Sequence, residues 1–446
     1  MNIENIKSAL LTLLVLIGIF FTWNIWTYQP NYDSLPDSPL LESSPISQET
    51  KEVHEVIRPF QIILHENKKH YGSYHDSSIK SVWKELRRWQ FETTFDITNQ
   101  FSDKEFYQWI HGEDGNNKIE IVFSDEIPIK VLQTIFNWKT EETFYQSFDR
   151  IVLPEAEKQG NQKIYFASYE NQTVFEVTVG NQMALETVAN IFEDKENYEP
   201  YFSYKVNSRK VFFLPANSLT FYKKQFLTET ISGEKFKQAL FNNPLYVRQE
   251  VGFSRNIYTD ATRLLEIYPK QNELTFVNQG SEPTVSLEGG DAILHSINYL
   301  NNHGGWTDNY KFFHINGNQE VTFNLNVDSL PVFESKEQPY HPTTIRQRWG
   351  SVEISNYHRP TYKLGNNAFE TSQSSLPTGE KLIEYLKNNE YNLGEIKSIF
   401  PAYELTSTDQ QVVVVTPVWC LETEMSNFIT IGSKSSDQGG KEIGLE

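Results

Sequence analysis

The hydrophobic pattern changes wavelength once along this chain. From Ser8 to Trp26 nineteen consecutive residues carry no charge. At a helical rise of ~1.5 Å per residue that run covers about 28 Å, close to the ~30 Å hydrocarbon core of a bilayer. After Thr50 the pattern is shorter. Ile79, Val82, Trp83 and Leu86 follow helical spacing behind Ser77, which predicts a helix capped by Ser77. Four β-like runs come next, at 118–123, 150–153, 163–167 and 173–179. Gly160-Asn161 and Glu170-Asn171 separate the last three, which predicts a meander closed by a short helix over 183–192.

From Tyr201 onward hairpins alternate with helices. Hairpins are predicted for 211–214 with 219–226, for 263–268 with 273–277, for 310–315 with 320–327 around Asn316-Gly317, and for 351–356 with 361–364. Helices are predicted over 233–241, over 291–302 with Ile293, Ile297 and Leu300 on one side, and over 379–388. Strands at 396–405 and 411–418 end the ordered part, before a Gly/Ser-rich tail expected to be disordered. Two units share a plan of helix, Asn-Asn, glycine exit and hairpin. One is "LHSINYLNNHGG" before "VTFNLNVDSLPVF", the other "KLIEYLKNNEYNLG" before "VVVVTPVW".

The expected fold class is therefore α+β, with one N-terminal transmembrane helix followed by several domains of antiparallel sheets packed with helices. The expected divisions are a cytoplasmic N-terminus 1–7, a signal anchor 8–27, a stalk 28–50, domains over 51–200, 201–305 and 306–425, and the tail 426–446. The stalk assignment rests on Pro30, Pro36, Pro39 and Pro45 among serines, a composition that stays extended and solvated.

The apolar run reads as an anchor that is kept. No small-residue cleavage pattern follows it. Trp23, Trp26 and Tyr28 suit the water–lipid interface, and Lys7 precedes the run while no basic residue follows until Lys51. That asymmetry predicts a cytoplasmic N-terminus and a chain mostly outside the cell membrane. On a helical wheel Ser8, Thr12, Val15, Ile19, Thr22 and Trp26 fall on one face with Gly18 beside them, opposite Leu10, Leu14 and Phe21. A face of small and hydroxylated residues is a candidate contact for a partner helix in lipid.

A net charge of −19 argues against a nucleic-acid partner, which needs a basic face. With a single cysteine, Cys420, the chain is outside the disulfide-stapled secreted class and must rely on packed cores.

Catalytic constellations are near misses. His65 and His70 are five apart in "HENKKH", which on a helix puts them on different faces, so two solvated histidines before a turn is the plainer reading. Ser77 and Lys80 have the Ser-x-x-Lys spacing without its partner motifs. His303 with Gly304 and Gly305 reads as a helix end, its histidine favourable to the dipole, and Cys420 as a packed or edge thiol. No catalytic residue, metal ligand or cofactor site is assigned. A binding or regulatory protein is expected; an envelope sensor for a ligand or peptide, suggested by the 14% of aromatic residues, is the alternative.

The N-terminus, with Asn-Ile-Lys-Ser, a leucine-rich span and "TWNIWTYQP", resembles that of the YycH family of Gram-positive bacteria. "HGGW", "YHRPTYKL" and "TPVW" echo it along the chain. The resemblance implies a single-span membrane protein with three extracytoplasmic domains. It further implies a regulator, not an enzyme, acting with a YycI-like membrane protein on a WalK-type sensor histidine kinase whose two-component system controls cell-wall turnover.

Overall fold

Alternating side chains build most of the strands. In Arg263–Tyr268 the buried positions are Leu265 and Ile267, and they stand opposite Phe276 and Leu274 of the hairpin partner Glu273–Asn278. Each pair places two apolar side chains on the same core face, which fixes the register. The computed structural model describes residues 3–27, 45–139, 145–155, 162–181, 184–192, 198–281, 287–317, 319–407 and 411–432. It divides into two units, Met1–Ser43 and Ser44–Glu446.

The first unit holds the helix Ile3–Thr27. Within it the described side chains are Lys7 and those of residues 11–22, all exposed. That stretch alone is about 18 Å long. Among the described residues, no helix is long and apolar enough to cross a membrane.

The second unit is α+β and contains two sheets. In the first, ten described strands run in the order Val211–Pro215, Glu199–Lys205, Lys69–Ser73, Gln61–Glu66, Lys118–Pro128, Ser147–Pro154, Gln162–Ser168, Thr173–Val179, Gln90–Asp96 and Asn137–Trp138. Neighbours are antiparallel except the last pair. The expected meander is its stretch Ser147–Pro154, Gln162–Ser168, Thr173–Val179. The helix Asp76–Leu86 packs against this sheet through Ile79, Val82, Trp83 and Leu86. It starts before Ser77: His75 is the N-cap, and Ser77 lies in the first turn, its carbonyl accepting from Ser81.

The second sheet has fifteen described strands, among them the long antiparallel pair Ile396–Ser407 and Val412–Thr423. The valine run Val412–Thr423 is buried nearly throughout, as expected for a strand covered on both faces. Two of its helices match the sequence pattern closely. Gly379–Asn388 is capped by Thr378, whose hydroxyl accepts from the Lys381 N–H. Gly289–His303 buries Ile293, Ile297 and Leu300 and ends at Gly304, at φ +66. Each helix precedes an antiparallel strand pair, Tyr310–Ile315 with Glu320–Val327 and Ile396–Ser407 with Val412–Thr423, but the glycine exit is found only at Gly304; after the second helix Glu390 takes the positive φ, 60, and Gly394 lies in a separate turn.

Several expectations are corrected. Val211–Pro215 and Leu219–Thr230 do not form a hairpin. The former pairs with Glu199–Lys205 in the first sheet, and the latter pairs in the second with Val412–Thr423, Glu370–Leu376 and Tyr362–Leu364. The chain changes sheets at Ala216, so a short connection joins strands with distant partners. Nor does Ile354–Pro360 pair with Tyr362–Leu364; it sits between Glu273–Asn278 and Thr344–Trp349. The tail expected from Ser426 begins later, since Phe428–Ile431 adds an antiparallel strand to Val412–Thr423. The stalk's residues 28–44 lie outside the described residues. Its end is fastened to the body: Ile46 is buried, and the Ile46 and Ser47 N–H groups donate to the carbonyls of His303 (3.1 Å) and Gly304 (2.9 Å).

The motifs "HGGW" and "YHRPTYKL" meet in the core. Arg359 is buried and donates to the Gly305 carbonyl (2.7 Å) and to Thr307 (2.8 Å), while His303 lies 3.1 Å from the Tyr357 hydroxyl. Burial, with Arg359 nearby, pushes His303 down to about 3. The helix ends there as expected, but the histidine is neutral and serves as a packed hydrogen-bonding group, not as a charge on the helix dipole.

Candidate functional site

The sequence "HENKKH" is a hairpin. Asn67 and Lys68 both take positive φ, 50 and 61, in a two-residue turn between Gln61–Glu66 and Lys69–Ser73. This puts His65 directly opposite His70, with their Nδ1 atoms 2.9 Å apart. A spacing that separates the rings on a helix brings them together across a hairpin. The expectation of two solvated histidines fails, because His65 is buried and its Nε2 lies 3.4 Å from Glu120. Burial and the neighbouring His65 push His70 down to about 4, so it is neutral at neutral pH.

Glu120 is the centre of a charge network inside the first sheet. Burial by itself would raise its carboxyl; Arg150 and His65 outweigh burial and hold it down to about 2. Arg150 pairs with Glu120 and lies 3.3 Å from Asp149. Its guanidinium stands over the Tyr169 ring at 4.6 Å. The Tyr169 hydroxyl donates to the Arg209 carbonyl (2.6 Å), leaving its oxygen to accept from His111 Nε2 at 2.8 Å. Burial pushes His111 down to about 4. Asp149, Arg150 and Tyr169 of this network also line a cleft between the two sheets.

The cleft encloses about 420 Å³. One wall comes from the first sheet, through residues 122–126 and 211–213; the other comes from the second, through Phe313 and residues 397–400. Its middle is aromatic, with Phe60 edge-on to Phe400 at 5.0 Å between ring centres. Charged side chains, Glu126, Asp149, Arg150, Lys397 and Glu424, also line it. Among the described residues, no group of histidine, cysteine and carboxylate side chains is placed to hold a metal ion.

Lys7, Thr12, Val15, Gly18, Ile19 and Thr22 are exposed on the helix Ile3–Thr27. Thr22 and Gly18 are brought together, the Thr22 hydroxyl donating to the Gly18 carbonyl at 2.8 Å. The side chains of Ser8, Trp23 and Trp26, and all of Tyr28, lie outside the described residues. Lys80 of the Ser-x-x-Lys spacing is paired with Asp76. Cys420 is a packed thiol inside Val412–Thr423, and burial pushes it up. Sequence reasoning missed Glu120, Arg150 and Glu126. A signal existed: Glu120 stands between Ile119 and Ile121, and Arg150 directly before the apolar run Ile151, Val152, Leu153.

Two family models match, "YycH protein, N-terminal domain" over residues 4–197 and "YycH protein, C-terminal domain" over 209–431. The chain is 36% identical over 433 residues to a Bacillus subtilis (strain 168) protein named "Two-component system WalR/WalK regulatory protein YycH", covering 95% of both chains. Its structure resembles the crystal structure of YycH from Bacillus subtilis with a TM-score of 0.76 and 31% identity, over 87% of this chain and 99% of the other. The chain belongs to the YycH family.

Proposed function

We propose that this protein is a membrane-anchored regulator of a WalK-type sensor histidine kinase, acting with a YycI-like membrane partner through protein–protein contacts and without chemistry of its own. The observation that carries the reading is the 36% identity to a regulatory protein of the WalR/WalK system across 95% of both chains. The similarity is not confined to one module, since family matches cover both sheets and the N-terminal helix from residue 4.

The anchor part of the proposal is supported by the uncharged run Ser8 to Trp26 and by its described side chains: Leu11, Leu14, Phe20 and Phe21 are all more than half exposed. So large an apolar surface suits lipid better than water. In this reading Lys7 stays in the cytoplasm, Trp23, Trp26 and Tyr28 sit at the outer interface, and the unit Ser44–Glu446 lies outside. The face of Ser8, Thr12, Val15, Gly18, Ile19, Thr22 and Trp26 would meet a partner helix.

The test is a strain lacking its own copy of the gene and supplied with this chain under an inducer. Transcription of WalR-controlled genes and co-purification of the kinase would be measured. The expected result is a change in those transcripts on induction, with the kinase recovered alongside the chain. Unchanged transcripts with no kinase recovered would overturn the proposal.

A further inference from the structure

The strand Lys118–Pro128 slips register against Ser147–Pro154 between Val122 and Ile127. That irregularity lifts Ser124, Asp125 and Glu126 out of the ladder and into the wall of the cleft. Most charges there are already matched. Asp125 is met by His314 at 2.8 Å and by the Ile315 N–H at 2.9 Å. Glu422 is met by Lys397 at 2.9 Å and Glu424 by Lys210. Arg150 is shared by Glu120 and Asp149. Arg209 is met by Asp103 at 3.1 Å, so among the described residues no positive charge of the wall is left over for an anionic ligand.

Glu126 differs from its neighbours. Its carboxylate is fixed by two neutral donors, the Ser168 hydroxyl and the Asn171 amide, the latter at 2.8 Å. Burial raises its pKa, with Asp149 and Asp125 adding to the effect. Among the described residues no cation is paired with it, and a carboxylate held in place in this way is a ready acceptor for one. Glu126, Asp125, Glu170, Lys397 and Glu424 also border a second hollow of about 310 Å³. The acidic wall therefore joins two hollows into one longer trough.

The trough also has backbone to offer. Among the described residues, Val211–Pro215 pairs on one side only, with Glu199–Lys205. Ile396–Ser407 pairs along its length with Val412–Thr423, but on its other side only Tyr403 to Leu405 are paired, with Leu330–Glu334. Residues 211–213 and 397–400 line the cleft from these incomplete edges. Free strand edges supply main-chain partners to an extended chain, and apolar hollows between them supply side-chain pockets.

We propose that this cleft binds an extended peptide segment. Its backbone lies along a strand edge, an apolar side chain sits among Phe60, Phe313 and Phe400, and a lysine or arginine side chain reaches Glu126. A volume of about 420 Å³ falls in the usual range for ligand sites, ~300–1,000 Å³. The proposal goes beyond the regulatory reading and is independent of it, since binding is measured without the kinase.

The experiment uses the purified full chain in detergent and two capped, fluorescein-labelled octapeptides, one repeating Leu-Phe-Lys-Val and one repeating Leu-Phe-Glu-Val. Fluorescence anisotropy should show saturable micromolar binding of the lysine peptide and at least tenfold weaker binding of the glutamate peptide. Glu126→Gln keeps the shape and both neutral donors' partner, and should weaken the lysine peptide at least tenfold; Glu250→Gln, on an exposed strand, should not. If Glu126→Gln does not fold, a photo-crosslinking lysine peptide on the unaltered chain replaces it and should label residues 122–126, 211–213 or 397–400. Equal binding of the two peptides, no saturable binding below millimolar, an unchanged affinity in Glu126→Gln, or labelling elsewhere would each overturn the site. Competition by Nα-acetyl-lysine amide as effective as the whole peptide would overturn the peptide assignment.

Discussion

Glu120 and Arg150 stand on neighbouring antiparallel strands, diagonal to one another. Glu120 is opposite Val152 and Arg150 opposite Val122, so both side chains project from the same face and form an ion pair around a fully buried carboxylate. Removing one partner leaves a buried charge uncompensated, which costs more than the pair itself contributes. Glu120→Gln is expected to lower the unfolding free energy by about 3–5 kcal/mol in chemical denaturation. Glu120→Leu with Arg150→Met should cost less than the sum of its two single changes. A loss below about 1 kcal/mol for Glu120→Gln would show that the pair is dispensable.

Gly304 ends its helix where a side chain has no room. Its φ is +66, and a Cβ there would run into the Ser47 carbonyl oxygen, backbone that cannot swing away. Gly304→Ala should destabilise the protein by about 2–4 kcal/mol, from left-handed strain plus the displaced segment. Limited proteolysis should then cut earlier near residues 45–50. An unchanged melting temperature would contradict the contact.

His303 makes a pH prediction. Its folded pKa, about 3, is below the usual 6.5, because burial and Arg359 disfavour the cation. The unfolded chain therefore binds the extra proton first. Stability from this group is complete above pH ~6.5 and is lost as pH falls toward 3, by about 2 kcal/mol at pH 5. Asp308, pushed up to about 6 by burial, acts in the opposite sense, so the comparison must be between variants. The stability difference between pH 7 and pH 5 should shrink in His303→Gln, measured by urea titration at both values. An identical difference would refute the assignment.

The orientation of the anchor is checked with a reporter active only outside the cytoplasm, fused after Asp33. It should be active, and a cytoplasmic reporter at the same point inactive. The reverse pattern would rule out the proposed topology.

The face of the first helix is tested by Thr12→Leu, Gly18→Leu and Thr22→Leu together, against Leu10→Ile, Leu14→Ile and Phe21→Leu on the other side. The Thr22 hydroxyl proton is already given to the Gly18 carbonyl, so Thr22 offers a partner helix an acceptor and not a donor. Each interhelical polar contact is worth only about 0.6–2 kcal/mol, which is why a triple change is used. The first triple should reduce kinase co-purification and shift WalR-controlled transcription, the second should not. Equal behaviour at matched membrane levels would end the proposal.

What the sequence determined by itself is local. The helices Gly379–Asn388 and Gly289–His303, the meander of the first sheet, the hairpin at Asn316-Gly317 and the α+β class all follow from periodicity and turn chemistry acting over a few residues. Partner choice did not follow. Val211–Pro215 and Leu219–Thr230 are adjacent in sequence and look like a hairpin, yet each pairs with strands far along the chain. Alternation tells a strand which face is apolar and is silent about which of many similar strands will lie beside it. The cleft was illegible for the same reason. Glu126, Phe313 and Phe400 come from three distant segments, and only the packing of the two sheets decides that they line one cleft. His65 and His70 mark the boundary between the two kinds of information: five residues apart, they diverge on a helix and face each other across a two-residue turn, and the strands paired on either side decide which geometry is adopted.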